Sequence, residues 1–144
     1  MTNLTRWLAC LFVLTAASLA AQAPMAKMAI ASTDDYSKAM KQVGTDSAAL
    51  RKSIATPSEA DAAAASARLE STFKDVQAYW EHKKVDDAAG FAKNAVAAVQ
   101  AVSNALAAHD MDAAAAANQT LAGTCTACHT AHRDRLPDGS FKMK

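Results

Sequence analysis

From residue 33 onward, apolar side chains recur at alternating spacings of three and four, in four runs separated by short polar breaks. That period puts each run on one face of an α-helix. Thr33-Asp34-Asp35 opens the first helix with an N-cap oxygen and acids in the first turn. Its stripe is Tyr36, Met40, Val43, Ser47, Leu50 and Ile54, and Pro57 forces a stop. In the second helix Thr56 is the expected cap, with Pro57 at the first helical position and Glu59 returning to the cap backbone. The stripe runs Ala62, Ser66 (or Ala65), Leu69, Phe73, Val76, Trp80 and ends near His82-Lys83-Lys84. Asp86 or Asp87 caps the third helix, with Phe91, Ala95, Ala98 or Val99, Val102 and Leu106 inward, to about His109. Asp110 caps the fourth, which is expected to run from Met111 through Leu121 to about Arg135. Leu136-Pro137-Asp138-Gly139 is a turn signal, Ser140 to Lys144 form a short tail, and no strand pattern is visible. Short connections between long helices predict an all-α, antiparallel up-down-up-down four-helix bundle.

Composition supports that class. Alanine, the best helix former and a poor strand former, dominates a chain with only 4 Gly and 3 Pro. Its 144 residues fit one domain. A net charge of +1 removes nucleic acid as the main partner, and 51% hydrophobic residues remove disorder.

The amino terminus reads as a secretory signal over residues 1–20. Arg6 precedes the apolar run Trp7 to Leu14, and Ser18-Leu19-Ala20 suits cleavage. Ala21-Gln22-Ala23 fits the same small-x-small pattern, but Pro24 would follow that cut. The rival is an uncleaved membrane anchor, for which the apolar run is short. Cys10 has too little apolar sequence before it for a lipoprotein cysteine. Residues 21–32 are an Ala-rich leader, 33–136 the helical domain and 137–144 the tail.

Cleavage would leave two cysteines, in Cys125-Thr126-Ala127-Cys128-His129. C-x-x-C-H is the c-type haem attachment sequence. Residues i, i+3 and i+4 share a helix face, so both thiols can reach the two vinyl groups of one haem. His129, next in sequence, is then placed to bind the iron axially. Two other readings compete. A thioredoxin-like redox pair wants a βαβ context, which is missing, and a zinc site from the cysteines, His129 and His132 would crowd its ligands onto one helix.

With the motif at the far end of the last helix, the chain resembles the cytochrome c′ family, the class II c-type cytochromes. Gly123-Thr124-Cys125-Thr126-Ala127-Cys128-His129 with Arg133 carries the resemblance. So does Met40-Lys41-Gln42-Val43-Gly44 followed by Leu50. The chain departs from the family at Tyr36, where Arg is frequent, and in the Pro137-Asp138-Gly139 extension. The resemblance implies one covalent haem c. Members pair through helices 1 and 2, which opens a homodimer as an option.

The sixth iron position decides function. In an antiparallel bundle Met40, six residues into its helix, lies level with His129. The family's low-spin members place a Met ligand there; the competing reading is a core methionine. His82, His109, Met111 and His132 are weaker rivals, and nothing in the sequence positions Met28 or Met143. Phe73, Tyr79, Trp80 and Phe91 read as haem lining, Arg133 as a propionate partner, and Tyr36 as bordering the haem edge. The expectation is a periplasmic electron carrier with His129/Met40 ligation and redox partner proteins. Membrane association would come only through an uncleaved signal. The alternative is a five-coordinate protein binding nitric oxide or carbon monoxide. A third reading is a non-haem metal-binding or stress-related bundle. No nucleophile–base pair, phosphate loop or paired carboxylates point to an enzyme.

Overall fold

The computed structural model describes residues 30–144. The signal sequence, its cleavage site, Cys10, Met28 and the leader up to residue 29 lie outside the described residues. Four helices form an all-α bundle: α1 (Thr33–Ala55), α2 (Glu59–Lys83), α3 (Asp86–Ala107) and α4 (Met111–His132). Two three-residue strands follow, β1 (Arg133–Arg135) and β2 (Phe141–Met143).

The caps explain where the helices begin, and three differ from expectation. Ser32, not Thr33, caps α1, its hydroxyl accepting from the Asp35 N–H at 3.1 Å. Thr56 closes α1 instead of opening α2: its N–H and hydroxyl both donate to the Lys52 carbonyl at 2.9 Å. The residue before a proline avoids the helical region, so Thr56 serves the preceding helix. Ser58 becomes the α2 cap residue. Glu59 turns away from the cap to meet His109 Nδ1 at 2.7 Å. At α3 the cap position falls to Val85 because Lys84 adopts a left-handed conformation (φ 58°) that reverses the chain one residue early. Asp86 and Asp87 then occupy the first turn, where negative charge is favoured. Asp110 caps α4 as expected, accepting from Ala113 N–H at 2.8 Å.

The larger correction is at the carboxyl end. α4 stops at His132 rather than Arg135, and the tail is a strand of an antiparallel hairpin pairing Arg133 with Met143 and Arg135 with Phe141. The domain boundary expected at 136/137 falls inside the hairpin loop. Pro137 and Gly139 (φ 82°) make the reversal, closed by Leu136 N–H to Ser140 O at 2.8 Å. The returning strand satisfies the helix's last carbonyls: Lys144 N–H donates to His132 O at 3.0 Å and its Nζ to Thr130 O at 3.1 Å.

Consecutive helices pack against one another, while α1 and α4 touch sparsely. Leu50, Leu69, Val99, Val102 and Leu121 anchor the main core. The α1 stripe is rotated from expectation: Ala39, Asp46 and Ser53 are buried, while Met40, Ser47 and Ile54 are only half-buried. Asp46 tolerates this place because Arg68 Nε donates to it at 2.7 Å and Gln42 at 2.9 Å. A second cluster at the hairpin end joins Tyr36, Val76, Tyr79, Trp80, Ala88, Ala89 and Ala92. Met40 packs on both clusters.

Candidate cofactor slot

α4 buries little of itself: only Ala114 and Leu121 are fully inside. Its carboxyl half instead lines a cavity of about 430 Å³ with Cys125, Cys128 and His129. That volume suits a small-molecule or cofactor site. The far walls are apolar: Val43 from α1, Phe73 and Val76 from α2, and Ala88, Phe91, Ala92 and Ala95 from α3. Met40 and Gly44 complete the α1 side. A Cβ built on Gly44 would meet nothing within 4 Å, so open space lies beside it. A second cavity, about 720 Å³, adjoins the first under the hairpin. The two share Tyr36, Met40, Cys128, His129 and Arg133.

Both cysteines are free thiols, half-buried, one helical turn apart. Burial raises the thiol pKa of each; at Cys128 the neighbouring Cys125 and Asp87 raise it further. A reactive redox pair is favoured by the opposite shift. Burial lowers the pKa of His129, and the Arg133 cation lowers it further. Its imidazole is therefore held neutral, the form that ligates a metal. Among the described residues no three or more His, Cys, Asp or Glu side chains converge as a cage for a bare ion. Cys125, Cys128 and His129 lie along one helix face beside apolar walls, an arrangement that a flat apolar group attached through the thiols would fit.

Of the expected lining, Phe73, Phe91 and Tyr36 reach the cavity, and Tyr79 and Trp80 do not. Trp80 lies behind Tyr36, donating its indole N–H to the Tyr36 hydroxyl at 3.3 Å with the rings crossed at 75°. Tyr79 packs on both rings. Burial pushes the Tyr36 phenol up to about 12, so it remains a neutral wall. His132 sits between Trp80 and Phe91. Its Nε2 lies 3.0 Å from Asp87 Oδ2 without the alignment of a hydrogen bond. His82 is solvent-exposed beyond Trp80, and His109 is engaged by Glu59. Arg133 lines both cavities while its guanidinium rests 3.9 Å from the Phe141 ring centroid.

Sequence reasoning missed the hairpin's share of this site. Met143, left unpositioned by the sequence, is pinned opposite Arg133 and lines the second cavity with Ser140, Phe141 and Lys142. The available signal was Asp138-Gly139 beside the alternation Phe141-Lys142-Met143. Arg51, Ala88 and Ala92 were missed for a simpler reason: single Arg and Ala residues carry no motif. Family models, curated proteins and solved structures give no significant match to this chain.

Proposed function

We propose that this chain is an exported c-type haem protein of cytochrome c′ type. Its haem would be bound covalently through Cys125 and Cys128, with His129 as proximal ligand and Met40 as distal ligand. One observation carries the reading: two unpaired thiols and an imidazole share a helix face that opens onto a slot with apolar far walls and a methionine across it. Attachment needs no external oxidant. Cys125 and Cys128 would each hold the group through a C–S bond, the thiol S–H having added across one vinyl C=C with its proton going to the other vinyl carbon.

When bound, the haem would supply a one-electron iron couple. The protein's part is to hold and tune it. The wall from Val43 to Ala95 would keep water from the group, and ligation by both Met40 and His129 would raise its reduction potential and close the iron to gas. The protein is thus read as a periplasmic electron carrier that serves redox partner proteins, on an up-down-up-down bundle. End-to-start contacts between helices, such as Glu59 with His109 and Asp87 with His132, support that topology. No helix among the described residues is long and apolar enough to cross a membrane.

The test is the mass and absorption spectrum of the chain exported from cells competent in cytochrome maturation. The expected result is one haem per chain and a low-spin spectrum that turns high-spin in Met40→Ala. Bare polypeptide mass with no Soret band refutes haem attachment. A high-spin ferrous wild type that binds carbon monoxide readily refutes Met40 ligation and favours the gas-binding alternative.

A further inference from the structure

The two adjoining cavities differ in chemistry. The first has apolar far walls and two cations, Arg51 and the Arg133 that it shares with the second. The second is lined by Lys41, Arg133 and Lys142, by the hydroxyls of Thr33, Ser37 and Ser140, and by no carboxylate. None of these three cations has an ionic partner among the described residues. Asp134, opposite Lys142 in the hairpin register, lies 3.8 Å from Lys144 Nζ, and Asp87 Oδ2 lies 3.0 Å from His132 Nε2. Arg133 reaches the slot directly, since it lines both cavities. The hairpin that supplies Arg133 and Lys142 is tied to the α4 end by Lys144, and Met143 packs it against the aromatic cluster. Three cations therefore gather at the hairpin end of a slot whose far walls are apolar.

We infer that the hairpin and the first turns of α1 form a carboxylate-binding mouth, in which Arg133, Lys41 and Lys142 receive the two propionates of the slot's occupant. This rests on the haem reading above. It gives the carboxyl-terminal extension a job in cofactor binding and sets the direction in which the group lies. A guanidinium and ammonium groups facing carboxylates make charge-assisted hydrogen bonds, and the ionised edge stays at the water-exposed end while the ring is buried.

The experiment titrates the full-length chain, produced without haem attachment, with protoporphyrin and with its dimethyl ester, following porphyrin fluorescence. The diacid is expected to bind at least about tenfold tighter than the ester. Arg133→Gln with Lys142→Gln should remove most of that preference, and Arg51→Gln should leave it. Equal affinity for diacid and ester in the wild type overturns the mouth but leaves the slot standing. Loss of the preference in Arg51→Gln alone places the carboxylates at the other end and also overturns it. Binding of neither porphyrin overturns both the mouth and the haem reading. In the matured protein, the propionate bending band in the resonance Raman spectrum should shift in Arg133→Gln/Lys142→Gln. An unshifted band overturns the proposal independently of how the haem-free chain folds.

Discussion

Truncating Leu121 to alanine measures how firmly α4 is held by the polypeptide alone. α4 has two fully buried residues, and Ala114 has almost no side chain to bury. Leu121, 2% exposed, is thus the main apolar anchor of that helix. Leu→Ala in a core costs about 2–5 kcal/mol, more where a closed cavity is left. Leu121 lines the slot, so its removal enlarges an existing space and belongs at the low end, about 3 kcal/mol. Leu69 is fully buried and does not line the slot, so Leu69→Ala should cost more, about 4 kcal/mol. For a domain of this size 3 kcal/mol lowers Tm by roughly 12 °C. The assay is thermal unfolding by circular dichroism, on the haem-free chain and on the matured protein. In the matured protein the loss should be smaller, because two thioethers then tie α4 to a group packed on α1, α2 and α3. A haem-free Leu121→Ala chain within 1 kcal/mol of wild type would show that α4 is anchored elsewhere and refute this account.

Further outcomes follow from the same geometry. Gly44→Ala should stabilise the haem-free chain by about 1 kcal/mol, since the site is helical and open. Gly44→Trp should leave the helix content intact but cut haem incorporation, read as the Soret-to-protein absorbance ratio. Tyr36→Phe removes the acceptor for the Trp80 indole and should cost about 1 kcal/mol in chemical denaturation, with a change in tryptophan emission. The folded-state pKa of His129 lies below its ordinary value of 6.5, so the unfolded chain binds more protons in that window. Stability of the haem-free chain should therefore fall as pH drops from above 6.5 through the folded pKa, and His129→Gln should flatten that decline in urea midpoints measured at each pH.

The helical scaffold was readable because its signals are local. Spacings of three and four located every helix, and Leu50, Leu69, Phe73, Val102 and Leu106 are buried as the stripes predict. The cap errors came from choices the sequence leaves balanced. Thr56 and Ser58 can each serve either side of Pro57, and hydrogen bonds to Lys52 and Ser53 decide the matter. The depth of each stripe was less readable, because Ala39 and Met40 compete for one inward position and the smaller residue wins against a neighbouring helix. In the site, Cys125, Cys128, His129 and Met40 could be chosen by spacing and level, and the structure does bring them to one slot. Trp80 was misread because an aromatic at the right height says nothing about the ring in front of it. The hairpin was missed because a three-residue alternation beside Asp138-Gly139 is a faint signal, and the Lys144 N–H bond to His132 O that ties the tail to α4 has no sequence signature.

The sparse seam between α1 and α4 bears on how the chain folds. Nearly all packing joins helices adjacent in sequence, so the bundle can assemble without first bringing its two distant ends together. Topologies of this kind fold in microseconds to milliseconds. Zipping of the last seam is the one step that spans the whole domain, and it is deferred. The chain can thus form most of its bundle at once and leave the α1–α4 side, where the slot lies, to close last.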